Sequence, residues 1–144
     1  MDAKRLVVGT LVGGVVLYAV GYVIFTTAFA DFYAANAGSA TGVDRGGELF
    51  WAVALGSLAY AALVMFVIGN RVSPLSIGGG ARIGAIVGFL LWFTADFVFY
   101  GTTNIANLTR TIVDPLLEIV RGGIGGAAIA AVLSKMPAPG RNPA

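Results

Sequence analysis

No charged residue falls between Arg5 and Asp31, and none between Glu48 and Arg71. These runs of 25 and 22 residues are each long enough to cross a bilayer, since about 20 apolar residues span its hydrocarbon core as a helix. Two further apolar stretches follow. Residues 83–101 hold one charge, Asp96, and residues 115–134 hold two, Glu118 and Arg121. Only 11% of the chain is charged and 58% is hydrophobic, whereas about 25% charge is usual for a soluble domain. Lipid must be the main solvent of this surface.

The spans expected from these runs are about 6–29, 49–69, 83–101 and 115–134. The connections between them are an outer loop over residues 31–48, a short turn over 71–82 containing Gly78-Gly79-Gly80, and a loop ending at Asp114-Pro115. Asp as a cap followed by Pro at the first helical position predicts the start of the fourth helix. Pro137, Pro139 and Pro143 predict a flexible tail over 137–144. Residues 1–136 then form one all-α domain, an integral-membrane up-down four-helix transmembrane bundle. Ala28-Phe29-Ala30 has the form of a signal-peptidase site, but the apolar run before it exceeds the roughly 7–15 residues of a signal core, so the first span is expected to be retained.

Basic residues give the orientation. Lys4, Arg5, Arg71, Arg82, Lys135 and Arg141 fall on one side of the expected spans, and Arg45 and Arg110 on the other. The excess of Lys and Arg marks the cytoplasmic face, which puts both termini in the cytoplasm. The basic pI thus reflects topology. No basic run or stripe suggests nucleic acid, and none is expected as a partner. The absence of cysteine and histidine removes thiol chemistry, disulfides and the usual zinc ligands. No metal or cofactor is expected.

Small residues recur at helical spacing: Gly80, Gly84 and Gly88 in the third stretch, Gly122 and Gly126 in the fourth. Apolar side chains gain little by leaving lipid for one another, so close backbone approach at small residues drives helix packing. These ridges are expected to seal the bundle, and one of them could also join copies into a homo-oligomer or a larger membrane complex.

The intramembrane charges are the candidate site. Asp96 lies roughly 20 Å up a helix from Arg82 at 1.5 Å per residue. Glu118 and Arg121 come down from the outer side to a similar depth. Asp114, Glu118 and Arg121 share one helix face at i, i+4, i+7. The economical arrangement sets Arg121 between Asp96 and Glu118, because an unpaired charge near the bilayer centre costs roughly 2.5–3.5 kcal/mol. Tyr100 and Asn104 continue the Asp96 face outward. Asp31, Glu48 and Asp114 form an outer acidic rim. Asn104 and Asn107 could satisfy the free N–H groups at the start of the fourth helix.

Several stretches carry a resemblance: Asp31-Phe32-Tyr33-Ala34-Ala35-Asn36-Ala37-Gly38-Ser39, then Gly79-Gly80-Ala81 with Gly84-Ala85 and Gly88-Phe89-Leu90, then Tyr100-Gly101-Thr102-Thr103-Asn104 and Val113-Asp114-Pro115. On these the chain resembles small bacterial four-helix integral membrane proteins of unknown function. The resemblance implies a bacterial inner-membrane, multi-pass protein and no particular activity. The expected function is non-enzymatic: binding a small or lipidic ligand, or assisting another membrane protein, through a polar outer vestibule around Asp96, with the bilayer itself as the main partner. The rival expectation is a small oligomeric proton or cation channel or carrier using Asp96 and Glu118.

Overall fold

A computed structural model describes residues 2–69 and 75–137. Among these residues the regular structure is helical apart from one isolated bridge. Helix α1 (Ala3–Gly21) continues as a π-helical stretch, Tyr22–Ala28; α2 is short (Ala30–Ala35); α3 spans Phe50–Gly69, α4 Ile77–Thr102 and α5 Leu108–Ser134. Four helices, the first of them α1 with its π continuation, are long and apolar enough to cross a membrane. Residues 71–74 of the turn expected over 71–82 and the expected tail beyond Pro137 lie outside the described residues, as do Arg71 and Arg141.

Capping sets the helix starts. The Asp2 side chain accepts from the Lys4 N–H and opens α1. Ser76 accepts from the Gly79 N–H at 3.0 Å, so α4 begins six residues before the expected Ile83 and takes Gly78-Gly79-Gly80 out of the turn. A side-chain oxygen at the cap answers an otherwise free N–H, and that outweighs the poor helix propensity of glycine here. The outer loop also differs from expectation in containing α2.

The fourth span starts at Leu108, not at Pro115. Asn107 is its cap and accepts from the Arg110 N–H at 3.0 Å. Pro115 lies inside the helix, with no N–H to offer the Thr111 carbonyl. The reason is tertiary. The Asn107 backbone N–H donates to the Asn36 carbonyl at 3.2 Å, and its side-chain amide donates to Asn36 Oδ1 at 3.0 Å. Gly38 and Ala40 bond the carbonyls of Ile105 and Asn104, so the outer loop and the α4–α5 connection are stitched together. That stitching fixes Asn107 as the cap.

Glycine decides which helices meet closely. A Cβ placed on Gly84 would fall against the Gly122 carbonyl oxygen, and one on Gly126 against that of Gly80. Helices α4 and α5 therefore pack backbone to backbone, antiparallel, over the most extensive contact in the molecule. Helix α3 packs antiparallel on α1, where Gly9 meets Met65, Gly13 meets Ala61 and Gly14 meets Leu58. Contact between α1 and α5 joins the two pairs, while α3 and α4 barely touch. The apolar core of Leu17, Val64, Met65, Ile68, Ile83, Ile129 and Leu133 fills the half of the molecule that holds the start of α1 and the end of α5. At that end Arg5 donates to the carbonyls of Met136 and Pro137. The other half, beneath α2, is where the parting of α3 and α4 leaves space.

Candidate functional site

A cavity of about 670 Å³ occupies that half. Its floor is the wholly buried Glu118 and the nearly buried Arg121 of α5. Arg121 Nη1 donates to Glu118 Oε1 at 2.8 Å, Nε to the Leu17 carbonyl at 2.9 Å and Nη2 to Ser57 Oγ at 3.3 Å. Leu17 can accept because a carbonyl has two lone pairs. Gly21 makes room: a Cβ there would sit 2.8 Å from Arg121 Nε. The guanidinium also lies over the rings of Phe25 at 5.7 Å and Tyr60 at 5.6 Å. One cation thereby ties α1, α3 and α5 together where its burial makes desolvation costly.

Arg121 does not bridge Asp96 and Glu118. Its other donors turn toward α1 and α3, where the Leu17 carbonyl and Ser57 Oγ accept them in the space Gly21 leaves. Asp96 instead faces Asp114, with Arg110 within electrostatic reach, and its Oδ2 is buried without a hydrogen-bond partner. Glu118, Arg121, Asp114 and Glu48 line the cavity, while Asp96, Tyr100, Asn104 and Asp31 do not. Tyr100 is 43% exposed. Asn104 and Asp31 are also exposed. The stripe expected above Asp96 ends where α4 ends, at Thr102. Asn104 serves the loop instead, its carbonyl accepting from the Ala40 N–H.

The mouth is built by α2 and the π-helical stretch. Tyr33 of α2 donates its hydroxyl proton to Asp114. Arg110 stacks over the Tyr33 ring at 4.8 Å, and Phe25 meets that ring edge-on with centroids 5.6 Å apart. Thr26 Oγ1 donates to Glu48 Oε1 at 3.4 Å. Burial first, then the bond to Asp114, holds the Tyr33 phenol well above its ordinary ionisation range. A group whose folded pKa is raised stabilises fully below its unfolded pKa and loses that contribution as pH climbs through and past it. Tyr33→Phe should cost about 0.5–1.5 kcal/mol near neutral pH through loss of the bond to Asp114, both groups being half-buried and partly screened by solvent. The gap between wild type and variant should narrow as pH rises beyond the usual phenol range. Melting curves at neutral and alkaline pH would show it, and a pH-independent gap would contradict it.

The aromatic wall of Tyr18, Tyr22, Phe25, Tyr60 and Trp92 is not among the residues the sequence singles out, nor are Tyr33, Ser57 and Gly21. A signal exists: Tyr18, Tyr22 and Phe25 fall at i, i+4, i+7 on the first helix, one face of it. In an apolar segment such a face is indistinguishable by pattern from a lipid-facing one. Among the described residues no group of three or more Asp or Glu is placed to hold a metal ion.

No protein-family model matches the chain, and comparison with curated proteins and with solved structures returns no significant match. The resemblance to small four-helix membrane proteins rests on the sequence motifs alone.

Proposed function

We propose that this is a non-enzymatic multi-pass membrane protein of a bacterial inner membrane that binds a lipidic or other amphipathic ligand in the outer-half cavity. Its four long helices cross up and down, with both termini in the cytoplasm. The orientation rests on the Lys and Arg bias. The ligand reading rests on one observation: the cavity pairs a polar floor with an apolar flank where α3 and α4 stand apart. Val53 and Leu63 of α3 and Leu91 of α4 line it while remaining 45%, 41% and 40% exposed. In a bilayer that flank opens onto lipid, so a ligand tail can enter sideways while its head reaches Arg121 and Glu118. The volume also suits one ligand, since such sites run to about 300–1,000 Å³. A conducting path through one copy would have to cross the packed core around Leu17, Val64, Met65 and Ile129, each at most 1% exposed, so the structure favours binding over conduction.

Gly56 provides the test. It lines the cavity, and a Cβ there would meet nothing within 4 Å. Gly56→Trp starts from a Cβ that meets no neighbour, so it should narrow the cavity from its wall and hold the melting temperature, since glycine in a helix costs about 0.5–1 kcal/mol. Native mass spectrometry from nanodiscs should find a retained amphiphile on the wild type and not on the variant. Equal retention by both would sink the proposal.

A further inference from the structure

We infer that the head group this cavity selects is a lipophilic ammonium carrying at least one N–H, and this rests on the ligand-binding reading above. The floor supplies the first reason. Glu118 Oε2 is buried without a hydrogen bond, and the Tyr60 hydroxyl lies beside the same carboxylate without closing to bonding distance. A buried carboxylate oxygen without a donor is costly. Its pair-mate Arg121 donates to the other oxygen, Oε1, and directs its remaining bonds to Leu17 and Ser57. A ligand N–H that reached the floor would donate to Glu118 Oε2, while the Tyr60 hydroxyl, itself a donor, is placed to serve the same carboxylate.

Charge supplies the second reason. The lining carries three carboxylates, Glu48, Asp114 and Glu118, against two guanidiniums, Arg110 and Arg121. A monocation balances that set and an anion worsens it. A neutral hydroxyl would meet the hydrogen bonds but leave the charge.

The third reason is the aromatic wall. Ring faces attract cations by their quadrupole, more strongly when water is excluded. The cavity already uses its walls this way, with Arg121 over Phe25 and Tyr60, and Arg110 over Tyr33. Tyr18, Tyr22 and Trp92 line the same space and extend its aromatic wall. The gap between α3 and α4 supplies the lipophilic requirement.

The chain has two tryptophans, and only Trp92 lines the cavity. Trp51 is 68% exposed on α3 and outside the lining. Trp51→Phe thus leaves Trp92 as a single fluorescent reporter. In neutral-lipid nanodiscs at neutral pH, this variant would be titrated with dodecylamine, dodecyltrimethylammonium, dodecanol and dodecyl sulfate. The plugged control is Gly56→Trp/Trp51→Phe/Trp92→Phe, whose single introduced indole reports partition into the bilayer alone. Dodecylamine should give a saturable change in Trp92 emission. The alcohol and the sulfate should bind about tenfold or more weakly, the alcohol because its hydrogen bond to the carboxylate carries no cationic charge and the sulfate because its charge has the wrong sign. The quaternary ion, which lacks an N–H, should also bind more weakly than the amine. Glu118→Gln should reduce amine affinity by a similar factor. Should that variant fail to fold, Glu48→Gln at the exposed mouth should still weaken the amine and leave the alcohol unchanged. Dodecanol or dodecyl sulfate binding as tightly as the amine would overturn the ammonium assignment while leaving the cavity reading intact. No saturable response to any probe beyond that of the plugged control would overturn both.

Discussion

Replacing Glu118 by alanine is expected to destabilise the protein by about 3–5 kcal/mol, the cost of leaving one member of a buried ion pair without its partner. Arg121 would keep the Leu17 carbonyl and Ser57 but lose its one counter-charge, held at 2.8 Å. Neither group can relax toward water, since Glu118 is 0% and Arg121 8% exposed. Removing both charges should be far milder. The double variant Glu118→Ala/Arg121→Met should recover much of the loss, because two well-packed apolar side chains often match a buried pair in stability. Detergent-titrated unfolding of the two single variants and the double variant would give the coupling energy. Additive effects, or a single-variant loss below about 1 kcal/mol, would mean that the pair is solvated in the folded protein and that the cavity floor is wet.

Gly84→Leu should cost about 3 kcal/mol, at the upper end of what overpacking usually costs. The new side chain would grow straight into the Gly122 backbone, and a Cβ at Gly84 would also stand 3.0 Å from the Gly126 Cα. Neither neighbour is a flexible side chain that can swing away, so α4 and α5 must separate along their longest contact. In lipid that separation forfeits dispersion contact with no hydrophobic gain to offset it. Gly78→Ala is the matched control. Gly78 lies in the first turn of the same helix, where a Cβ meets nothing within 4 Å, and the change should be neutral or stabilising. If both variants unfold at the same detergent fraction, close backbone approach does not hold α4 to α5.

Much of the architecture is legible along the chain. The uncharged runs bounded by Arg5, Asp31, Glu48 and Arg71 mark helices long enough to span, because transfer from water to lipid sums residue by residue and needs no knowledge of neighbours. The glycine spacing in the third and fourth stretches is legible for a related reason: a residue without a side chain is a local fact. Glu118 and Arg121 stand out because charge in an apolar run is costly wherever the run ends up. Asn107 is within reach as a capping residue, but the Asp114-Pro115 pair gives a stronger local signal and misplaces the helix start. The bonds from Asn107 to Asn36, residues far apart in sequence, override it.

The sequence by itself marked four stretches long and apolar enough to cross a membrane and the charges set within them. Tertiary structure alone decided that Arg121 turns to Leu17 and Ser57 rather than to Asp96, that α3 and α4 part to leave a cavity, and that Tyr33 closes over Asp114. The physical reason is that hydropathy is a property of each residue, whereas partnership is a property of faces. In lipid every apolar face is nearly as content as any other, so small-residue contacts and a few directed hydrogen bonds choose among them.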